Sequence, residues 1–322
     1  MRHALLLIVV TILGSAAAAQ ETRTYTDALN RTVEIPVEPQ RIQSMYSGAV
    51  TPPLIELGAP VVGSQGTLGE DGTPYLRMIR EVMKIDFDNS GIAFTHADTA
   101  DVEVIAALDP DLIVGLVSND AEQVDQLQRI APTVLLDDAQ PGLDLYRDIA
   151  DVVGRLDAYE DLLADYRRLV ADARGWLGGH AHTYSKLGAR NGELYVYGNF
   201  GALTMALNDL GFDLVGDGVA LRDRGSTWDG EAISAEALPR QDADFMFTTY
   251  RTDLGADASP VATLAAFDQV IPGFCALMTA CSGGRLVVLP MEHAAISFRT
   301  LDANIYYIVT HVAGRPGMTP PE

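Results

Sequence analysis

The stretch LDLYRDIADVVGRLDAYEDLLADYRRLVADARGW, residues 143–176, decides how the rest of the chain is read. Leu145, Ile149, Val152, Val153 and Leu156, then Tyr159, Leu162, Leu163, Tyr166, Leu169, Val170 and Ala173, keep helical spacing through it, and Gly154 is the one residue that would interrupt it. If continuous, its roughly nine turns reach about 50 Å at 1.5 Å per residue. No partner of similar length stands elsewhere in the sequence, which argues against a helical bundle. The stretch reads as a strut that runs along one lobe and delivers the chain to the next, and Gly178 and Gly179 end it.

On either side of the strut the pattern is strand alternating with helix. Arg41 to Met45, Val61 to Gly63, Asp111 to Val117 and Thr133 to Leu136 read as strands. Between them Thr51 to Leu57, Tyr75 to Met83, Val102 to Leu108 and Ala121 to Ile130 read as helices. Beyond the strut, Glu193 to Tyr197, Asp244 to Thr248 and Arg285 to Leu289 read as strands, with helices over Gly201 to Leu210 and Ile296 to Val312. Such alternation predicts parallel sheets covered on both faces. The expected fold class is α/β, with two Rossmann-like lobes (20–142 and 178–322) joined by one long inter-lobe helix (143–177). Ahead of the first lobe, Arg23 to Tyr25 and Thr32 to Ile35 read as a hairpin closed by Pro36 and Pro39.

The N-terminus reads as a secretory signal over residues 1–19. Arg2 and His3 precede the apolar run Ala4 to Leu13, and Ala16 to Ala19 offer a small-residue cleavage site before Gln20. The run is about half of the roughly 20 residues that cross a bilayer. No cysteine follows the cleavage site, so a lipid anchor is not expected. In an oxidising compartment Cys275 and Cys281, the only cysteines, predict a disulfide in preference to a metal site.

With 44 Asp and Glu against 22 Lys and Arg, the formal charge is −22, and a nucleic-acid binder is excluded because no basic face is available to displace counterions. Lys84 and Lys186 are the only lysines, so an anion site is expected to be built from arginine and backbone N–H groups. Ligands of open α/β sheets bind beyond the carboxyl ends of the strands and, with two lobes, in the crevice between them. That rule selects Tyr46 in the first lobe and Tyr250, Arg251 and His293 in the second. The loop Leu221 to Asp229 adds Arg222, Arg224 and Trp228, and the last helix adds Arg299. Arginines and aromatics converging on one rim suit an anionic, planar, aromatic guest. Tyr250 and His293 are candidate ligands to a ferric ion left unsaturated by its chelator. His180 and His182 read as a turn, and His96 as structural. There is no G-x-S-x-G elbow, Walker loop or H-E-x-x-H, and no G-x-G-x-x-G follows the first strand, so no enzyme is expected. A secreted metal-assisted hydrolase is the alternative from another class; the scarcity of His and carboxylate at strand ends weighs against it.

Several motifs together carry a family resemblance. They are DALNRTVEIPVEPQRI (27–42), DVEVIAALDPDLIV (101–114), IAPTV (130–134), the strut, ALNDLGFDLVGD (206–217), ISAEAL (233–238) and FRTLDANIYYI (298–308). Across residues 22 to 313 the chain resembles the periplasmic substrate-binding proteins of iron-siderophore ABC importers. SGAVTPPLIELGAPVVGSQG (47–66) and EHAAISFRTLDANIYY (292–307) most resemble the ferric-enterobactin, catecholate-type members. The resemblance implies a monomeric periplasmic protein that binds a ferric-siderophore complex between two rather rigid lobes. It has no covalent cofactor, and it delivers the chelate to an inner-membrane ABC permease. Arg299, Trp228 and Arg251 fall in segments that line the cleft in that family. Its haem and cobalamin relatives supply an alternative ligand, for which Tyr46 or His293 would be the axial residue, and a hydroxamate chelate, closer to neutral and needing fewer arginines, is another. Asn30 stands where the family's hairpin has Gly, and the Cys275–Cys281 insertion departs from the pattern.

Overall fold

The computed structural model describes residues 20–140, 142–179, 181–224, 230–252 and 259–313. The expected signal peptide, residues 1–19, lies outside them. The chain opens with the antiparallel hairpin β1 (Thr22–Thr26) and β2 (Thr32–Pro36). Asn30 takes the left-handed conformation at its turn, φ 58°, a state that Asn tolerates better than other residues with a Cβ.

The first lobe is a five-stranded sheet built from β3 (Ile42–Ser44), β4 (Val61–Gln65), β5 (Ala93–His96), β6 (Leu112–Leu116) and β7 (Thr133–Leu136). The spatial order is β5-β4-β3-β6-β7, all parallel. Strand order therefore reverses between β3 and β6, which makes the carboxyl ends of those strands the topological switch point. β6 and β7 are buried throughout, as sheets covered on both faces require. Helices α1 (Thr51–Glu56) and α2 (Val102–Ala107) belong to this lobe. The helix expected over Tyr75 to Met83 is shorter, forming over Arg80–Met83, and the one expected over Ala121 to Ile130 is displaced toward the N-terminus, forming over Val117–Leu127 in two α pieces joined by a 3-10 turn.

The strut is not one helix. It divides into α3 (Gly142–Val152) and α4 (Leu156–Trp176), so the expectation of a single inter-lobe helix over 143–177 is corrected. Gly154 has φ +67°, and the N–H groups of Arg155 and Gly154 donate to the carbonyls of Ala150 and Asp151 at 2.7 and 3.0 Å. This is a Schellman termination, which needs a left-handed residue that a Cβ would penalise. A Cβ there would also stand 2.6 Å from the Val37 carbonyl. Periodicity alone cannot show the break, because Leu156 resumes the same stripe. α4 spans about 32 Å at 1.5 Å per residue.

The second lobe contains β8 (His182–Arg190), β9 (Glu193–Val196), α5 (Gly201–Asp209), β10 (Phe212–Leu214), α6 (Asp217–Asp223), β11 (Glu231–Ile233), β12 (Phe245–Tyr250), α7 (Pro260–Val270), β13 (Leu286–Pro290) and α8 (Phe298–Val312). Its sheet runs β11-β9-β8-β12-β13, with β10 also on β8. β8 is the hub: it is parallel to β10 and β12 over its first half and antiparallel to β9 over its second. The Cys275–Cys281 disulfide forms as expected, between the single turns Phe274–Leu277 and Thr279–Ser282.

One apolar core runs from Ile42 and Val114 of the first sheet, through Tyr146, Tyr159 and Tyr166 of the strut, to Phe247, Leu289 and Ile305 of the second lobe. Phe298 packs its ring 4.9 Å from Tyr146, 5.9 Å from Tyr159 and 6.1 Å from Tyr166. The Tyr166 hydroxyl donates to Asp209 of α5 at 2.7 Å. Opening the lobes would expose this shared core, so the architecture resists large hinge motion.

Candidate functional site

A cavity of about 630 Å³ lies beyond the carboxyl ends of β12 and β13, against the second half of β8. Thr249, Tyr250 and Arg251 reach it from the end of β12, and Met291 from the end of β13. Lys186, Gly188 and Arg190 reach it from β8, Tyr197 and Phe200 from the segment after β9, and Thr263 from α7. Arg77 enters from the first lobe and places a guanidinium nitrogen 3.4 Å from the Met291 sulfur, so both lobes contribute. A second, more open hollow of about 400 Å³ lies between β2 and the start of β7. That is the amino end of the parallel sheet, where strand geometry offers no ligand site, and its one cation, Arg31, is paired to Asp27.

Of the residues selected from sequence, Tyr250 and Arg251 line the cavity. Five others stand elsewhere. Arg222 and Arg224 sit at the end of α6, next to Asp223 and paired with Glu231 respectively, and are spent on surface acids. Tyr46 follows β3 and is 36 % exposed, with its ring against Gly48. Arg299 is exposed at the start of α8, a position that periodicity cannot distinguish from a cleft-facing one. His293 is a core histidine: it is buried, its Nδ1 is 2.6 Å from Asn304 Oδ1, and its ring lies 5.3 Å from Tyr307. Burial pulls its pKa down, partly offset by the Asn304 hydrogen bond, and the residue does not line the described cavity. Trp228 and His180 lie outside the described residues. His182 packs between the rings of Phe212 and Phe245, and His96 is buried with its pKa pulled down to about 4 by desolvation.

Burial raises the pKa of the Tyr250 phenol, and Tyr307, Glu292 and Glu81 push the same way. With no iron present it enters the cavity as a hydroxyl able to donate a hydrogen bond. Among the described residues no group of three or more His, Cys, Asp or Glu gathers as a metal site.

Sequence reasoning missed Lys186, Arg190 and Arg77. Lys186 is 2 % exposed, its Nζ 3.3 Å from the Leu187 carbonyl oxygen and 4.2 Å from the ring centroids of both Tyr197 and Phe200. Arg190 lays its guanidinium 4.0 Å above the Tyr195 ring. A local signal for this hairpin exists in the sequence. Asn191–Gly192, at φ 54° and 76°, is the two-residue turn that joins β8 to β9, and Asn-Gly between apolar runs is the strongest short-range hairpin mark. Arg77 precedes a helix that proved shorter than expected, and no local pattern marks it.

The cavity's described lining thus presents Arg77, Lys186, Arg190 and Arg251 and no carboxylate, with hydroxyls from Thr249, Thr263, Tyr197 and Tyr250. A model of the periplasmic binding protein family matches residues 57–263. The chain belongs to the periplasmic binding protein family. Such a protein binds its solute and is not an enzyme. Among relatives, the probable siderophore-binding lipoprotein YfiY of Bacillus subtilis (strain 168) is 30% identical over 248 residues, 74% of this chain and 73% of that one. The iron(3+)-hydroxamate-binding protein YxeB of the same organism is 30% identical over 245 residues, 73% of this chain and 69% of that one. The crystal structure of Staphylococcus aureus SirA complexed with staphyloferrin B superposes with a TM-score of 0.72, covering 90% of this chain and 98% of that one at 21% identity. At that identity the superposition establishes the two-lobed α/β fold for this family member and nothing about its solute.

Proposed function

We propose that this periplasmic binding protein is the solute-binding component of an ABC importer for a ferric siderophore, and that the chelate it takes is anionic. One observation carries the reading: a chain with 44 acidic and 22 basic residues turns three arginines, one lysine and no carboxylate toward its described cavity. Desolvating a multiply charged anion is expensive unless fixed cations and hydrogen-bond donors replace its water. The relatives named for siderophore and ferric-hydroxamate binding support the iron-chelate class. The cations then favour a catecholate-type or other negatively charged chelate over a neutral one. The chain's net negative charge opposes capture only at long range, since about 8 Å of physiological saline screens it. The protein would act in the periplasm, outside an inner-membrane permease that receives the loaded form.

The YxeB relationship favours a second reading, a neutral ferric trihydroxamate. The haem and cobalamin readings rest on Tyr46 or His293 as the axial ligand, and neither residue is in the described lining of the cavity. Titrating intrinsic fluorescence with a trianionic ferric tris-catecholate and with a neutral ferric trihydroxamate separates the readings. Tighter binding of the tris-catecholate by tenfold or more is expected. The reverse order would replace the anionic reading with the neutral one, and no response to either would overturn both.

A further inference from the structure

Lys186 is an unusual choice for a buried cation. An arginine stays charged throughout the working range of pH, whereas a lysine sealed in apolar surroundings does not. Its three N–H donors meet one carbonyl and two aromatic faces, a weak replacement for the water that an ammonium loses. The described charged side chains lining the cavity are all cationic. Around the cavity stand Arg190 further along β8, Arg251 at the end of β12 and Arg77 from the first lobe. Burial pushes the phenols of Tyr184 and Tyr250 up. α7 presents Ala262, Thr263 and Ala266, while its Asp268 is exposed to solvent. Glu292 does not line the cavity and is buried beside Met291, where it accepts the Thr252 hydroxyl. Burial accordingly lowers the Lys186 amine to about 7.

We propose that Lys186 is the cavity's switchable cation: when an anionic chelate occupies the cavity, its negative charge draws one proton from solvent onto the Lys186 amine, and the resulting ammonium helps to hold it. This rests on the anionic-chelate reading above. The bound amine then titrates higher than the free one, so affinity is full at low pH. It falls by up to tenfold per pH unit as pH rises between the two values, because proton uptake and binding are linked reciprocally. A neutral chelate draws no proton. The lysine therefore selects for anions more strongly in acid than in alkali.

The chain contains only two lysines, which makes the test direct. Protein labelled with ¹³C at lysine Cε gives one signal from Lys186 and one from surface-exposed Lys84, an internal control. Both are titrated from pH 5.5 to 10 without and with saturating gallium(III) tris-catecholate, a diamagnetic stand-in for the ferric trianion. The Lys186 midpoint is expected near 7 in the free protein. With the gallium chelate bound it moves up by a unit or more, and Lys84 is unmoved. In parallel, wild-type affinity for ferric tris-catecholate falls about three- to fivefold between pH 7 and 8, while Lys186→Arg shows no such fall. An unmoved Lys186 midpoint with the chelate bound, or the same pH slope in Lys186→Arg, overturns the proton linkage and leaves the binding function standing. Failure of either tris-catecholate to bind the wild type overturns the anionic reading and the lysine proposal with it.

Discussion

The Glu56 carboxylate of α1, in the first lobe, accepts the backbone N–H of Arg299 at 2.7 Å, at the start of the last helix of the second lobe. Its other oxygen accepts the Phe298 N–H at 2.9 Å and the Tyr146 hydroxyl at 2.8 Å. One side chain thus caps a helix from across the molecule, at the end where the helix dipole favours an anion. Ser297 completes the cap by accepting the Thr300 N–H. The arginine that sequence placed in the cleft serves through its backbone, and its side chain is exposed.

Removing this cap leaves two amides and a phenol without their acceptor. Glu56→Ala is expected to lower the free energy of unfolding by about 2–4 kcal/mol, and Glu56→Gln by about half that, since the amide oxygen still accepts. Urea denaturation monitored by circular dichroism measures both, and an Ala variant within 0.5 kcal/mol of wild type would contradict the capping role.

Asp302, one turn into α8, has its pKa raised to about 6 by burial, reinforced by Glu56 and Asp165. Its native state holds a proton more firmly than the unfolded chain does. Its contribution to stability is therefore intact below about pH 4 and lost as pH rises through 6. Asp302→Asn is expected to raise the melting temperature at pH 7.5 and to lose that gain at pH 4. A gain of equal size at both pH values would show that the effect is not one of protonation.

Gly154 divides the strut. Gly154→Ala forces a Cβ into a left-handed residue facing the Val37 carbonyl, and is expected to destabilise by more than about 1–2 kcal/mol. Thermal unfolding checks this, with Gly179→Ala as a control at a left-handed glycine that has open space around it.

The arginines separate by position. Arg77→Ala and Arg251→Ala are each expected to weaken binding of an anionic ferric chelate by about 10- to 100-fold, the worth of one charge-assisted hydrogen bond. Arg299→Ala and Arg224→Ala should change it by less than about twofold. Isothermal titration with ferric tris-catecholate ranks the four. Equal losses in all four would mean that diffuse charge, rather than contact at the cavity, drives binding.

What the sequence by itself determined is whatever depends on near neighbours along the chain. Alternating apolar runs and helical stripes marked both α/β lobes, and the strut appeared as a stripe because its buried residues recur every three to four positions. Cys275 and Cys281 are close enough along the chain that pairing required only an oxidising compartment. Tyr250 and Arg251 were legible because they follow a strand that the pattern already identified. What only the tertiary structure decided is direction and company. Arg299, Arg222 and Arg224 have the right chemistry, yet α8 and α6 turn them to solvent or to acids, and a helix face is chosen by packing against distant elements. His293 became a core residue because Asn304, eleven positions later, satisfies it. Lys186 became a cavity cation because β8 sits at the hub of a sheet whose partners come from Glu193 to Pro290. Charge is a property of a residue, but its free energy belongs to the surroundings that folding brings to it.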